Sequence, residues 1–398
     1  MKKTLLTICL VWMCFSLSAQ KIIDLSGKWS FSIDRQDNGE KEKWFSHTLN
    51  DFINLPGSMP EKLKGDEVTA KTQWTGSLYD SSYYYNPYME KYRKEGNIKF
   101  PFFLTPDKHY VGAAWYQKEV NIPADWKGER ILLFLERPHI ETTVWVNGQK
   151  TGMQNSLCVP HQYDITRYVR PGKCTITIRV DNRIKEINVG PDSHSITDQT
   201  QGNWNGIVGR ICLQTTPKTY FDDIQIYPEP EQKLARVKVV IKGTGTAKVK
   251  LSAESFNTDK KHIVPAIQQE IKLNKGVTET EMVLPMGNDM LLWDEFHPAL
   301  YKLKAEVTNG KKTEIKEIQF GMRRFEIKGK WFYVNGRKTQ LRGTVENCDF
   351  PLTGYAPMDV ESWERVFRIC RNYGLNHMRF HSFCPPEAAF MAADRVGF

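Results

Sequence analysis

The stretch that decides the fold runs from Gln340 to Pro386 and reads QLRGTVENCDFPLTGYAPMDVESWERVFRICRNYGLNHMRFHSFCPP. At its start, Lys338 to Thr344 predicts a short strand, and a loop containing Pro and Gly follows. Asp359 then suits the N-cap of a helix, because its carboxylate can accept hydrogen bonds from the free backbone N–H groups of a first turn. Apolar residues recur at helical spacing and predict one apolar face, which consists of Val360, Trp363, Val366, Phe367 and Cys370.

The second half of this stretch predicts a parallel strand and another helix. Arg371 in the last turn and Gly374 just beyond it are the expected signals for the end of the first helix. Leu375 to Phe380 then predicts a second strand, and Pro385 and Pro386 open a further helix. Strand, helix, parallel strand and helix in this order predict the start of a (β/α)8 TIM barrel.

Polar residues follow both predicted strands, at the ends where barrel enzymes carry their chemistry. The two clusters are Glu346, Asn347 and Asp349 after the first strand, and Arg379, His381 and Ser382 at the end of the second. A single polar loop residue is usually only solvated, but two clusters on one rim favour a binding site. An Arg at a strand end suits the hydroxyl groups or the carboxylate of a sugar-like ligand.

The whole chain has the composition of an ordinary soluble globular protein. Its 398 residues are 40% hydrophobic and 25% charged, and this length predicts two or three domains. The formal charge of +9 comes from basic residues intermixed with acids, without a run of Lys or Arg, so nucleic-acid binding is not predicted. Beyond residue 19 the sequence predicts no membrane span.

Residues 1–19 predict a secretory signal peptide. Lys2 and Lys3 form a basic start, Leu5 to Phe15 forms an apolar core, and small residues follow near position 19. A lipoprotein signal fits less well, because the residues before Cys14 are bulky. We therefore expect an exported protein, either periplasmic or extracellular.

Six cysteines remain outside that segment: Cys158, Cys174, Cys212, Cys348, Cys370 and Cys384. Their wide spacing, without a C-x-x-C pair, does not predict a metal site, and no motif indicates a cofactor. Disulfides are compatible with export, but domains of this size do not need them. Most of the six are expected to be reduced and buried.

Two β regions precede the barrel-like residues 321–398. Residues 20–228 contain alternating runs such as Trp115 to Ile122, and Asn147-Gly148 is a strong hairpin signal, so this region predicts a jelly-roll β-sandwich. Residues 229–320 contain further alternating runs separated by Gly turns. They predict an immunoglobulin-like β-sandwich that positions its neighbours and carries no chemistry.

Two stretches of the first region leave alternatives open. The first is an insertion with the aromatic residues Tyr79, Tyr83, Tyr84, Tyr85, Tyr88, Tyr92, Phe100, Phe102 and Phe103. These rings suit stacking on sugars, but packing over a neighbouring domain is the favoured interpretation. The second, TDQTQGNWNGIVGR, places Asp198 and Trp204 in a Gly-rich loop, which is typical of a polar ligand pocket or of a tight inter-domain turn.

Five phrases of the sequence carry a family resemblance. They are AAWYQKEVNIP, TTVWVNGQKTG, NGIVGRICL, LLWDEFHPALYKL and FGMRRFEIKGKWFYVNGRKTQLRG. In wording and order they resemble glycoside hydrolase family 2, the group of β-galactosidases, β-glucuronidases and β-mannosidases, over essentially the whole chain after residue 19. The resemblance implies an exo-acting, retaining glycosidase that holds its sugar at the barrel mouth, with one jelly-roll loop reaching towards it.

The resemblance also implies which residues contact the sugar. Arg379 matches an Arg of the family after the second strand, whereas His381 and Ser382 stand in the reverse of the family's order. Asn347 and Asp349 occupy positions where β-galactosidases have histidines, so galactose specificity does not follow. The residues predicted to bind substrate are Arg379, His381, Glu346, Asn347, Asp198 and Trp204.

The catalytic carboxylates are not among these residues. A retaining glycosidase needs two carboxyl groups about 5 Å apart, and the resemblance places both glutamates beyond the second barrel strand. A whole barrel takes about 250 residues, of which about eighty are present here. We therefore expect both glutamates beyond Phe398 and expect this chain alone to be inactive.

Two other interpretations of the sequence stay open. One is a non-catalytic carbohydrate-binding protein, and the other is an inert remnant whose partial barrel exposes unpaired strand edges. In the preferred interpretation the partner is a carbohydrate substrate. The sequence leaves the oligomeric state open.

Overall fold

The structure is a computed structural model that describes residues 20–76, 80–101, 104–185, 193–198 and 202–398. The predicted signal peptide lies outside the described residues, and so do Tyr79, Phe102 and Phe103 of the aromatic insertion. The described residues form three successive units, each with a hydrophobic core of its own. We call them the first β unit, the second β unit and the C-terminal unit.

The first β unit extends to residue 216. Its strands are β1 (Ile22–Asp24), β2 (Gly27–Asp34), β3 (Asp51–Leu55), β4 (Gly57–Ser58), β5 (Asp66–Glu67), β6 (Lys108–His109), β7 (Ala113–Ile122), β8 (Arg130–His139), β9 (Glu141–Val146), β10 (Gln149–Asn155), β11 (His161–Asp164), β12 (Gly172–Asp181) and β13 (Gly206–Thr216). Its helical segments are α1 (Ser82–Tyr85) and the 3-10 turns Trp44–Ser46, Pro87–Tyr92, Ala124–Trp126 and Thr166–Tyr168.

Most of these strands form two sheets that enclose one core. One sheet has the order β1-β13-β8-β11, with β4 also on β13, and the other has the order β10-β9-β12-β7-β2-β3. Alternate residues of each strand point between the sheets. Leu133 and Leu135 of one sheet and Val144 and Val146 of the other are all fully buried in this core. The alternating sequence pattern therefore produces a two-layer β-sandwich.

The Asn147-Gly148 turn joins β9 to β10 as an antiparallel hairpin. The φ angles of Asn147 and Gly148 are +49° and +77°. A two-residue turn of this kind needs left-handed backbone at both positions, which Asn and Gly adopt at low cost. The predicted hairpin is confirmed.

The aromatic insertion packs partly on itself. Tyr83 is fully buried and its ring stacks on Phe100, with 4.4 Å between the ring centroids. Tyr85 and Tyr88 are 72% and 85% exposed. The favoured interpretation, packing over a neighbouring domain, is therefore wrong for these rings, because Tyr83 is buried within the insertion itself and Tyr85 and Tyr88 lie in solvent.

The second β unit consists of β14 (Tyr220–Glu229), the 3-10 turn Pro230–Gln232, β15 (Leu234–Phe256), β16 (Ile263–Pro285), β17 (Leu300–Asn309) and β18 (Lys312–Phe320). β15 and β16 are 23 residues long and pair with each other along most of their length, with a register shift between Gly243 and Gly245. The first half of β15 also pairs with β14, and its second half pairs with β17. Both halves enclose one core that contains Val239, Leu251 and Leu303.

The C-terminal unit consists of β19 (Phe325–Lys328), β20 (Trp331–Val334), β21 (Arg337–Thr339), β22 (Gly343–Glu346), α2 (Val360–Asn372), β23 (His377–Phe380) and α3 (Glu387–Val396). β19, β20 and β21 form an antiparallel sheet, whereas β22 and β23 pair in parallel and α2 connects them. The strand predicted from Lys338 to Thr344 is therefore wrong in its bounds. Its first half belongs to the antiparallel sheet, and the parallel strand starts only at Gly343.

Helix α2 begins and ends as the sequence predicts. The Asp359 carboxylate accepts a hydrogen bond from the backbone N–H of Ser362 at 2.7 Å. Beyond the helix, Gly374 has a φ of +78° and donates its N–H to the carbonyl of Arg371. Trp363 on the apolar face is 1% exposed, so this face forms the core of the C-terminal unit.

Candidate functional site

The parallel strands bring the two predicted polar clusters to the same end of one sheet. The register pairs Val345 with Arg379 and Glu346 with Phe380. Paired residues of neighbouring strands point to the same face, and successive residues of a strand alternate between faces. Arg379 and Glu346 therefore lie on opposite faces of this sheet.

Glu346 lies on the face that the helices cover. Its partner Phe380 packs edge-on against Trp363 of α2, with 5.7 Å between the ring centroids. The Glu346 carboxylate accepts a hydrogen bond from the backbone N–H of Cys348 at 2.9 Å. Burial raises the pKa of Glu346, while the backbone N–H groups bound to it act in the opposite direction. In this position Glu346 fixes the start of the loop that follows β22.

Arg379 lies on the other face, with its side chain exposed. Two residues farther along, the His381 ring lies 4.4 Å from the ring of His194, measured between centroids. Desolvation, followed by the nearby charges of His194 and Arg379, lowers the pKa of His381. We call Arg379, His381 and His194 the basic cluster. Such a cluster suits a ligand with a carboxylate or several hydroxyl groups.

A loop of the first β unit, between β12 and β13, holds these strand ends in place. Ser193 and Ser195 each donate a hydrogen bond from Oγ to the carbonyl oxygen of Ser382, at 3.2 and 3.0 Å. Nδ1 of His194 lies 2.9 Å from the carbonyl oxygen of Asn347, whose side chain is exposed. Three successive residues of one loop thus fix the loops after both parallel strands.

The sequence prediction included Asp198 and Trp204 of this loop but not Ser193, His194 and Ser195. Its contacts join residues that are more than 150 positions apart in the chain, and a Ser-His-Ser run has no secondary-structure signature. The only local signal is that three hydrogen-bonding side chains, Ser193 to Ser195, come just before Asp198. His194 is the residue that the sequence prediction lacked.

Asp198 is 1% exposed, and its carboxylate already has partners. Oδ2 accepts the backbone N–H of Thr75 and lies 3.4 Å from Nε2 of His109. Oδ1 accepts the backbone N–H of Asn203 at 2.8 Å. The Asp198 carboxylate thereby joins three segments of the first β unit.

Trp204 packs at the boundary between the first β unit and the loop after β22. Its ring stacks on His139 with 4.6 Å between centroids, and it lies 5.5 Å from the ring of Tyr355. Trp204 is 3% exposed, and within the described part of the chain its indole N–H has no hydrogen-bond acceptor. The Tyr355 hydroxyl donates to the Glu61 carboxylate at 2.8 Å. These contacts make the Gly-rich loop an inter-unit contact.

A cavity of about 320 Å³ lies beside Asp198 and Trp204. Both residues line it, and the loop Phe350–Gly354 after β22 lines it from the C-terminal unit. Its other polar lining residues are Glu61, Thr105, Asp107, His109 and Asn203. The predicted site residues thus lie in two places. Asp198 and Trp204 line the cavity, whereas the other four lie at the strand ends and are not among its lining residues.

Metal sites, disulfides and membrane-spanning helices are all absent from the described residues. Among them, no group of three or more His, Cys, Asp or Glu side chains is arranged to bind a metal ion. None of the six cysteines outside residues 1–19 forms a disulfide among these residues, and Cys174, Cys212 and Cys348 are buried. None of the helices in this part of the chain has the length and apolar character needed to cross a membrane.

Comparison with known proteins identifies the family. Residues 22–217 match the family model for the sugar binding domain of glycosyl hydrolases family 2, and residues 219–323 match a second model of glycosyl hydrolases family 2. The chain belongs to glycoside hydrolase family 2.

Relatives of this family 2 chain are glycosidases of low sequence identity. A putative β-glucuronidase of Formosa agariphila is 27% identical over 301 residues, which are 74% of this chain and 35% of the relative. A β-galactosidase of Thermoanaerobacter pseudethanolicus is 24% identical over 320 residues, which are 76% of this chain and 40% of the relative. The family 2 chain therefore spans less than half the length of these two relatives.

A solved structure shows the same fold. The β-glucuronidase from Ruminococcus gnavus in complex with D-glucaro-d-lactam matches 96% of this chain and 59% of its own, with a TM-score of 0.68 and 19% identity. The likeness extends over nearly the whole family 2 chain, so its β-rich arrangement is that of a β-glucuronidase.

Proposed function

We propose that the complete protein is a retaining exo-glycosidase that hydrolyses terminal glycosidic bonds of oligo- or polysaccharides. Membership of family 2 and the named glycosidase relatives support this reaction class. The observation that carries the proposal is the position of Arg379 and His381. They lie at the carboxyl end of β23, beside the end of its parallel neighbour β22, and barrel enzymes bind their substrates at such strand ends.

In this proposal, β22, α2, β23 and α3 are the first two βα units of a (β/α)8 barrel. The helices cover one face of the parallel pair, and Arg379 lies on the opposite face, which corresponds to the inside of a barrel. The acid/base and nucleophile carboxylates belong to later strands beyond Phe398. One protonates the leaving oxygen, and the other forms a glycosyl–enzyme intermediate that water then hydrolyses.

The residues of this chain bind and position the sugar. Arg379 and His381 contact its hydroxyl or carboxylate groups, with Asn347 beside them. Glu346 holds the loop after β22 in the shape that this contact requires. Asp198 and Trp204 supply one wall of the neighbouring cavity, which accepts the part of the substrate beyond the terminal sugar.

Two sugars are candidates for the terminal position. The relatives include enzymes named β-glucuronidase and β-galactosidase. The basic cluster favours a uronic acid, because an Arg and two His side chains complement a carboxylate better than a neutral hydroxyl group. Chromogenic β-glucuronides and β-galactosides, tested with the complete gene product, distinguish the two.

The first measurement is the size of the protein in its own host, by intact mass or by a blot against the first β unit. We expect a product larger than 46.1 kDa, the mass of the 398 residues. The N-terminus of the same product tests export, since removal of residues 1–19 leaves Gln20 first. A product that ends at Phe398 would contradict the proposed hydrolysis and leave glycan binding as the function to test.

The decisive variant is Arg379→Ala in the complete enzyme. If Arg379 contacts the sugar in the transition state, kcat/KM is expected to fall at least about tenfold, which corresponds to about 1.4 kcal/mol. Arg365→Ala, on the exposed side of α2, is the matched control and should leave kcat/KM unchanged. An unchanged value for Arg379→Ala would remove this residue from the site.

A further inference from the structure

Cysteines from three different segments lie close to the boundary between the first β unit and the C-terminal unit. Cys158 follows β10 in the first β unit, whereas Cys348 follows β22 and Cys384 follows β23. None of the three forms a disulfide among the described residues. A covalent bond between Cys158 and either of the other two would join the two units.

Arg137, near the end of β8, brings two of these cysteines together. Its Nη1 donates a hydrogen bond to the carbonyl oxygen of Cys384 at 3.0 Å, and its Nη2 donates to the carbonyl oxygen of Cys158 at 3.4 Å. Both nitrogens belong to one rigid, planar guanidinium group. The backbones of Cys158 and Cys384 are therefore neighbours, although they come from different units.

Exposure to solvent distinguishes Cys384 from Cys348 as a partner for Cys158. Burial raises the pKa of Cys384 most, and the Cys158 thiol raises it further, with a larger effect than that of Arg137. The Cys158 thiol also raises the pKa of Cys348. Cys348 is also 1% exposed, whereas Cys384 is open to solvent. A soluble oxidant can therefore reach Cys384 directly.

A small cavity lies beside Cys158. Cys158 and Phe383, the residue next to Cys384, both line a cavity of about 20 Å³ together with Arg137. A disulfide needs a narrow range of side-chain geometry, so room for rotation at one thiol matters. Tyr355 and Trp204 close the same cavity on its other sides.

We propose that Cys158 and Cys384 form a disulfide that ties the first β unit to the C-terminal unit. The oxidant is a small-molecule disulfide such as oxidised glutathione. The Cys384 thiolate attacks one sulfur of the oxidant, a mixed disulfide forms, and the first reduced thiol leaves. The Cys158 thiolate then attacks the Cys384 sulfur and displaces the second reduced thiol. The two leaving thiolates take up the two protons, and the oxidant gains the two electrons that the cysteines lose.

This bond does not depend on the proposed glycosidase activity. It would close a loop that contains the whole second β unit, so it restricts the unfolded chain strongly. It would also fix the loop after β23, which carries Ser382, against the first β unit. Oxidation therefore stabilises the arrangement in which the basic cluster is assembled.

The test is disulfide mapping of the purified chain. The protein is incubated with oxidised glutathione at about pH 8.5, because a raised thiol pKa slows exchange at neutral pH. Free thiols are then blocked with N-ethylmaleimide before digestion and mass spectrometry. We expect a cross-linked peptide pair containing Cys158 and Cys384, which disappears on reduction and is absent from Cys384→Ser. The matched control Cys370→Ser, in α2, should retain it.

A second readout is thermal unfolding. The oxidised wild type is expected to melt several degrees above the reduced wild type, and Cys384→Ser should show no such difference. The proposal would be overturned if N-ethylmaleimide modified both Cys158 and Cys384 after incubation with oxidised glutathione. A cross-link from Cys158 to Cys348 would overturn it as well.

Discussion

Burial decides the ionisation of His139, a residue in the core of the inter-unit contact. Its ring is 2% exposed and stacks on Trp204, and its Nε2 lies 3.1 Å from Oδ1 of Asn203. Burial lowers the pKa of His139 to about 3. The neutral ring donates its Nε2–H to the Asn203 oxygen. Folding therefore requires an uncharged imidazole at this position.

The free energy of unfolding should consequently decrease as the pH is lowered below about 6.5. Between about pH 6.5 and pH 3 the unfolded chain binds a proton at His139 that the folded chain does not, so the free energy of unfolding decreases by up to about 1.4 kcal/mol per pH unit. Urea unfolding at about pH 7.5 and pH 5 measures this effect. His139→Gln is expected to lose less stability between these pH values than the wild type. Equal losses would assign the effect to another group.

The contacts and orientations of single residues were the features that the sequence predicted least well. The composition of the Gly-rich loop left a ligand pocket and an inter-domain turn open for Asp198 and Trp204, and the structure places both residues beside a cavity. No local pattern shows that the Asp198 oxygens are already bound to the backbone of Thr75 and Asn203. Nor does either strand alone reveal that Arg379 and Glu346 face opposite ways, because that depends on the register between two strands separated by a helix.

Among the secondary-structure elements, α2 depends on its N-cap. Asp359→Ala removes the acceptor for the Ser362 N–H and is expected to lower the free energy of unfolding by about 1 kcal/mol. Arg365→Ala, on the exposed face of the same helix, should change it by less than about 0.5 kcal/mol. Urea unfolding followed by circular dichroism measures both. Similar values for the two variants would show that the cap contributes nothing beyond an ordinary surface contact.

The pairing of β4 with β13 depends on the absence of a side chain at Gly206. A Cβ at this position would lie 2.4 Å from the carbonyl oxygen of Gly57, and the φ angle is +150°. Gly206→Ala is therefore expected to destabilise the fold more than Gly148→Ala, which has a φ of +77° but no atom within 4 Å of the added Cβ. Gly148→Ala, the control, should lower the free energy of unfolding by about 1 kcal/mol through backbone strain alone. Thermal melting of both variants separates the steric clash from the strain.

The sequence predicted the secondary-structure elements whose bounds are set by residues within or next to them. It did not predict the bounds of strands that depend on pairing with a distant strand. The apolar spacing, Asp359 and Gly374 all lie within or next to α2, so the sequence contains its bounds. The break between β21 and β22 has no such signal. It arises because β21 pairs with β20 in one sheet while β22 pairs with β23 in another.

In the whole molecule, polar contacts join the three units. Lys312 of the second β unit pairs with Glu129 of the first. Trp293 follows β16 and donates its indole N–H to the carbonyl oxygen of Asp394 in α3 at 2.7 Å. Tyr355 and Glu61 join the C-terminal unit to the first, which places the strand ends beside the loop that carries His194.

The Tyr355 hydroxyl provides a direct test of this docking. Tyr355→Phe removes one donor from the Glu61 carboxylate, which keeps those from Lys62 and from the backbone N–H of Ser58, and hydrogen bonds to charged groups contribute about 1.5–3 kcal/mol. The melting temperature of the transition that includes α2 and α3 should therefore fall. Tyr373→Phe is the matched control, because Tyr373 is 83% exposed. Equal melting temperatures for the two variants would mean that the hydroxyl does not hold the units together.

The long hairpin of β15 and β16 has a consequence for motion. Because each strand supplies backbone hydrogen bonds to both halves of the second β unit, one half cannot open without disrupting the ladder of the other. Local opening is therefore expected to involve the unit as one cooperative block rather than two. Such a block behaves as a rigid spacer. A displacement of the first β unit at Glu129 is therefore expected to reach α3 through the contacts of Lys312 and Trp293.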